Sequence, residues 1–412
     1  MLQYDEDACL YNLLGLENQM ERALNRLKDS TPALMGGLVF GLAFCRVIYF
    51  FLGSDDGLVG VIPDDAFYYV QMAHHRVVDG LWTFDGSSPA TGFHFLFGYF
   101  LFFILKVFPG ASWKALYALI GMLASVSIAG AAAITCRTAQ SVFDERIAAA
   151  AAAPFFTAVS LMQSTVMMES WLVLLLGALT VSAVAKDSAL DARNMTTLFV
   201  IGLLGSLART DYGVLPGVLW GALAITQRSW RDRALQQCTV ILAGAILGIM
   251  VVVLHCYLVS GQFSQASAQI KLHWSALSGH NILPAINLTL QVLFPFLVGL
   301  DSITRCLFPA LVVLLSCISI LIKRPFDPGS SRPLARSFFV GSVLVVIAYV
   351  FFYRHNSAAL QIWYVANLIV PIGVGMAAMF FYIFKSWSIW PSILLCASYF
   401  YSGLTGVFSI PW

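Results

Sequence analysis

The chain has 412 residues, 59% of them hydrophobic and only 11% charged, with a formal net charge of +2. A soluble domain carries roughly 25% charged residues, so this composition excludes an ordinary water-soluble globule and suits an exterior solvated by lipid. The net charge says nothing about nucleic acid, but the sequence has no basic patch to grip it, so no nucleic-acid partner is expected.

In chain order, residues 1–32 read as a cytoplasmic amphipathic N-terminus without a signal peptide. Leu13, Leu14, Leu16, Met20 and Leu24 recur at helical spacing over Tyr11 to Leu27, the pattern of a helix lying on a surface. A first crossing is expected at 33–53, and its Arg46 either snorkels outward or meets a phosphate. The stretch that follows holds Asp55, Asp56, Asp64, Asp65, Asp79 and Asp85 but only one basic residue before Gly92, namely Arg76. The positive-inside rule therefore places the loop 54–112 outside. Within it, a short amphipathic helix is expected from Asp65 to Val78, and a second apolar helix, 93–108, lies at or dips into the outer face.

Basic clusters mark the cytoplasmic loops: Arg137 and Arg146; Lys186 and Arg193; Arg228, Arg231 and Arg233; Lys323, Arg324, Arg332 and Arg336; and Lys385. Alternating these with external loops gives crossings near 33–53, 113–135, 147–165, 168–185, 195–208, 213–227, 234–258, 303–322, 337–353, 362–384 and 388–408. The fold class expected is thus all-α: a polytopic membrane protein, one transmembrane domain over 1–412 with about eleven spans. A second external loop, 259–302, includes the apolar stretch 286–300 lying at the outer face. The eight cysteines are scattered, with no Cys/His spacing for zinc.

The residues that can do chemistry gather in this threading at the outer face. Pro63 opens a helix on two adjacent carboxylates, Asp64 and Asp65, where one capping acid would serve the helix dipole. His94 closes the same loop, and taken alone a histidine there is more often a packed or capping one. Glu169 stands between apolar runs, where a carboxylate is costly unless paired or facing a polar cavity. Arg209 and Asp211 stand in a similar setting and can pair with each other. Lys271, with His273 and Trp274, and Arg354, with His355, are further external features. Trp363 and Tyr364 suit an aromatic belt at the membrane interface as well as a substrate contact.

The stretch PDDAFYYVQMAHHRVVDGLWTFDGSSPATGFH, from Pro63 to His94, resembles the first external loop of GT-C glycosyltransferases. The later MES, ARTD, GQFSQASAQIK and QIWY segments resemble that family more thinly. An adjacent Asp pair is also a feature of its bacterial arabinofuranosyltransferase branch. This chain lacks the C-terminal carbohydrate-binding domain of that branch's larger members. It also has Phe95, Leu96 and Phe97 after His94, where many relatives carry a proline.

The resemblance implies a GT-C-like helix bundle and an enzyme of the bacterial inner membrane, with its site on the periplasmic side. It would move a sugar, arabinofuranose or mannose, from a polyprenyl-phosphate donor to a glycan, lipid or protein acceptor with inversion. Asp64 or Asp65 would be the base, and the motif position favours Asp64. Lys271, Arg209 and Arg354 are the candidate phosphate contacts, since arginine forks and lysine acts as a point charge. His94, Glu169, Asp211, Trp363 and Tyr364 would hold sugar or acceptor. No particular cofactor is implied; Asp64, Asp65, His94 and Glu169 could hold a divalent cation, but no metal spacing compels it. Two other classes share the composition: a ligase or polymerase of lipid-linked glycans, and a transporter or flippase for polar lipids.

Overall fold

The computed structural model describes residues 30–53, 62–143, 147–162, 166–186, 188–226, 232–277, 279, 281–293, 333–354, 361–384 and 389–408. The helix expected at Tyr11–Leu27 and the crossing expected at 303–322 lie outside the described residues, as do Asp55, Asp56, Arg146, Arg228, Arg231, Lys323, Arg324, Arg332, His355 and Lys385.

Among the described residues the protein is all-α, with one isolated antiparallel bridge, Thr83 to Pro89, and no strand. Four of the described helices are long and apolar enough to cross a membrane: α1 (Ser30–Leu52), α4 (Trp113–Val142), α10 (Arg233–Ser260) and α13, whose apolar part is Leu334–Arg354 within Pro333–Arg354. Each coincides with an expected crossing. The 30 residues of α4 rise about 45 Å, more than the roughly 30 Å of a hydrocarbon core.

The other expected crossings fall on shorter apolar helices: α7 (Ser170–Ala185), α8 (Ala192–Ala208), α9 (Val214–Thr226), α14 (Ala366–Phe384) and α15 (Ile389–Phe408). The crossing expected at 147–165 is not one helix. Its described part is two pieces, α5 (Ala148–Ala152) and α6 (Phe155–Ser160), split before Pro154. Ala153 and Pro154 both keep right-handed helical angles, and Pro154 has no N–H to continue the ladder.

Between the long helices lie α2 (Asp64–Val78), α3 (Phe95–Val107), α11 (Ala266–Leu277) and α12 (Leu283–Leu293). Pro63 in extended conformation starts α2, and Asp64 and Asp65 occupy its first turn. The helix buries Ala66, Tyr69, Val70, Met72 and Ala73, one face at helical spacing, and packs on α3.

Side-chain oxygens cap three helix starts: Ser112 accepts from Ala115 N, Asp191 from Asn194 N and Asp232 from Leu235 N. Gly261, in the left-handed region, ends α10.

Lipid tails are as apolar as leucine, so helices in a bilayer associate by close packing. The parallel pair α8 and α10 does so through glycine. A Cβ on Gly202 would stand 1.9 Å from the Ile241 carbonyl oxygen, and one on Gly244 would stand 2.1 Å from that of Phe199. Gly205 gives room to the Tyr212 ring, whose hydroxyl pairs with the Thr180 hydroxyl. The end of α8 is thereby clamped between α10 and α7, and the residue after it, Arg209, is delivered to a defined place.

Candidate active site

Arg209 leaves α8 in extended conformation, φ −154° and ψ 128°, and a single 3-10 turn, Thr210–Gly213, leads into α9. This break supplies two buried charges. Arg209 Nε and Nη2 donate to Asp211 Oδ1 and Oδ2 at 3.0 and 2.7 Å, and Nη1 donates to Glu169 Oε1 at 2.6 Å. Glu169 is brought there as the residue preceding α7 and is fully buried. Tyr349 donates to the Asp211 carbonyl at 3.0 Å, and Tyr353 donates to its carboxylate at 3.3 Å. Asn367 Nδ2 in turn donates to the Tyr353 hydroxyl at 2.8 Å. Burial by itself would raise the Asp211 carboxyl. The Arg209 charge and its hydrogen bonds outweigh that and hold it below the usual carboxylate range.

His94 sits just before α3, with Nε2 3.3 Å from Glu169 Oε1. Its loop is an ordered structure. The Asp85 carboxylate accepts from the Ser87 and Ser88 amides and from the Thr83 hydroxyl. Those donors, Ser88 foremost, hold it below the usual carboxylate range. Trp82 stacks on Phe93 at 4.3 Å. The second loop docks on the first: Gln265 Nε2 donates to the Phe93 carbonyl at 2.7 Å, and Ala266 N donates to Thr91 Oγ1 at 3.4 Å.

That docking closes a cavity of ≈ 370 Å³ between α2, the 79–94 loop, the Arg209 turn, α11 and the 3-10 turn Ile362–Val365 that precedes α14. Small-molecule pockets run from roughly 300 to 1,000 Å³. The cavity is lined by Asp65, His94, Arg209, Asp211, Lys271, Trp363 and Tyr364 among the residues singled out in the sequence, together with further aromatic rings. Lys271 Nζ donates to the Tyr364 hydroxyl at 2.8 Å and stands 4.0 Å from Asp65 Oδ2. Burial raises the Asp65 carboxyl, Lys271 opposes the rise, and Asp64 and Glu169 add to it.

The residues singled out in the sequence therefore divide. Asp64 is exposed, spends Oδ1 on the Asp65 amide and does not line the cavity. The motif position favours Asp64, but the wall of the cavity takes Asp65, because adjacent residues on a helix point about 100° apart. Arg354 lies exposed at the end of α13, outside this lining. Arg46 is fully buried in α1 with its guanidinium 5.2 Å from the Phe50 ring centre, again away from the cavity. It therefore does not snorkel to water.

Trp363 and Tyr364 are buried too, so the aromatic-belt reading fails. Tyr364 lies between two cations, 4.7 Å from Arg209 Cζ and 5.2 Å from Lys271 Nζ. Glu169 reaches the site through Arg209 and His94 and is absent from the lining. Among the described residues, no group of three or more His, Cys, Asp and Glu side chains is disposed to hold a metal ion.

The sequence reading did not single out Tyr69, Tyr349, Tyr353, Gln265 or Asn367. Asn367 carried the one usable signal, an amide inside a strongly apolar run. No family model, curated protein or solved structure matches this chain.

Proposed function

We propose that the protein is a membrane glycosyltransferase with a GT-C-like bundle of about eleven spans, using a polyprenyl-phosphate sugar at the external face of a bacterial inner membrane. The observation that carries the reading is the pairing of a raised carboxylate, Asp65, with Lys271 4.0 Å away, on the wall of an aromatic cavity built from both long loops.

The chemistry is a single displacement. The acceptor hydroxyl oxygen attacks the anomeric carbon as the bond from that carbon to the phosphate oxygen breaks. The phosphate leaves with the bonding electrons, and the hydroxyl proton passes to Asp65. Attack opposite the leaving group inverts the anomeric centre. Lys271 meets the charge that develops on the departing phosphate, and Tyr364 positions the ammonium. Arg209 is the weaker phosphate contact, because its guanidinium is already committed to Asp211 and Glu169. The rings of Tyr68, Phe84 and Trp274, all partly exposed at the cavity, suit the apolar face of a sugar.

The side of the membrane follows from charge. The helix ends remote from the cavity carry Arg137, Lys186, Arg193, Arg233 and Arg336, and the positive-inside rule assigns such ends to the cytoplasm.

The test is transfer of labelled sugar from synthetic polyprenyl-phosphate donors by the purified protein. Losing a general base costs roughly 10²–10⁴-fold in rate, so Asp65→Asn should lose that much while keeping its melting temperature. Asp64→Asn should stay within a few-fold of wild type. If the Asn variants behave the other way round, the base is Asp64, and if both remain active the transferase reading falls.

A further inference from the structure

We propose that Tyr353 is the positioning residue for Lys271: its hydroxyl ties the Ile362–Val365 turn to Asp211, and through Tyr364 on that turn it sets the ammonium beside Asp65. The purpose of this placement rests on the sugar-transfer reading, in which a base and a cation flank the bond that breaks. The placement itself rests on hydrogen bonds.

A 3-10 turn of four residues has few and poorly aligned hydrogen bonds of its own, so its direction is set from outside. Two side chains do this. Ser170 Oγ, at the start of α7, donates to the Trp363 carbonyl at 3.2 Å. Tyr353 Oη, near the end of α13, donates to the Tyr364 carbonyl at 3.2 Å. The same hydroxyl lies 3.3 Å from Asp211 Oδ2 and accepts from Asn367 Nδ2 at 2.8 Å. One proton is thus shared between a carbonyl and a carboxylate, while the oxygen's own lone pair takes the amide. Tyr353, Asp211 and Asn367 are all buried, where the low dielectric strengthens each bond.

Ring contact adds to the bond. The Tyr353 ring stands edge-on to the Tyr364 ring with 5.1 Å between centres, and it stacks on Tyr349 at 5.6 Å. Tyr364 is therefore held at its backbone and at its ring, and its hydroxyl accepts from Lys271 Nζ at 2.8 Å. Lys271 needs such a hold. It is carried by α11, in which Ser275 alone is buried, and a lysine side chain on four rotatable carbons has no fixed direction of its own. Tyr353 is absent from the cavity lining, so it acts on the site only through these neighbours.

Tyr353→Phe keeps the ring and removes only the hydroxyl. In the purified full-length protein, brief treatment with acetic anhydride, read by mass spectrometry, compares acetylation of Lys271 with that of the exposed Lys106 on α3 as the internal standard. The ratio should rise roughly threefold or more, the worth of one hydrogen bond. Adding Asn367→Leu removes the amide left without its acceptor, so the double variant should melt nearer the wild type and keep the raised ratio. A ratio unchanged in Tyr353→Phe, or one that returns to the wild-type value along with the melting temperature, would overturn the proposal in favour of a structural role.

A second readout follows transfer from a synthetic polyprenyl-phosphate sugar against pH. Asp65 is faced by Lys271 from α11, by Asp64 from its own helix and by Glu169 just before α7; burial raises its carboxyl, Lys271 opposes the rise, and the two carboxylates add to it. A base works ionised, so kcat/KM falls as pH drops through its range. With the ammonium released, that acid limb should move to higher pH in Tyr353→Phe. Lys271→Met should move it the same way, and Tyr353→Phe added to Lys271→Met should move it no further. A limb that stays in place in Tyr353→Phe, or a further move in the double variant, would sink the proposal. If the wild type transfers no sugar, the reaction reading fails, and the acetylation ratio still decides whether Tyr353 places Lys271.

Discussion

The Arg209 guanidinium is engaged at Nε, Nη1 and Nη2 by two carboxylates that are themselves buried. A buried ion pair adds little net stability compared with an apolar replacement, yet removing one partner strands the other charge, at a cost of about 3–5 kcal/mol. Arg209→Ala should therefore cost that much, seen as poor expression and early thermal unfolding in detergent. Arg209→Lys should recover only part, because an ammonium cannot fork onto Asp211 while reaching Glu169. A stable Arg209→Ala protein that no longer uses donor would return the residue to the role of phosphate clamp. At this scale the sequence was half legible. An Arg two residues before an Asp announces a pair, and a carboxylate inside an apolar stretch announces a partner. Which partner it has depends on two helix ends, 40 residues apart, meeting in space. The distinction between Asp64 and Asp65 was not legible, since both stand in the first turn of α2 and only the packing of its Ala66, Tyr69 and Met72 face fixes which carboxylate turns inward.

Helices α8 and α10 touch backbone to backbone, and the contact sets where Arg209 emerges. Overpacking a filled interface typically costs about 1–3 kcal/mol, and the 2.1 Å clearance from a Gly244 Cβ to the Phe199 carbonyl leaves no room at all. Gly244→Val should lower the melting temperature and disturb the site together. Gly221→Ala, whose Cβ would meet nothing within 4 Å, should leave both unchanged. An unaffected Gly244→Val protein would mean that the two helices do not pack this way. The apolar runs located nearly every helix, because twenty apolar residues have few other ways to satisfy their backbone in lipid. They did not locate the break before Pro154, and α14 shows why a proline alone is an uncertain signal, since it continues through Pro371. They could not reveal the glycine contacts either, because a close approach is a property of two segments.

The two long loops, remote in sequence, share one end of the molecule: Gln265 and Ala266 bond to Phe93 and Thr91, and Lys271 reaches Tyr364. The parallel course of α8 and α10, with Gly202 on Ile241 and Gly248 on Leu203 and Ser206, puts their starts, with Arg193 and Arg233, at the far side. A helix of 17 residues such as α8 covers about 25 Å, short of a full hydrocarbon core, so it crosses, as expected from the sequence, only if lipid thins or neighbouring helices shield its ends. Labelling answers this directly. In a variant whose native cysteines are replaced, Ser87→Cys stands on the exposed tip of the cavity-side loop and Arg193→Cys on the exposed start of α8. A membrane-impermeant maleimide added to intact cells should modify position 87 at once and position 193 only after permeabilisation. Labelling of 193 alone would invert the molecule and put the cavity in the cytoplasm, where a sugar on an outward-facing lipid phosphate could not reach it. Labelling of both from outside would mean that α8 does not cross, and that its short length reflects a re-entrant helix held between α7 and α10.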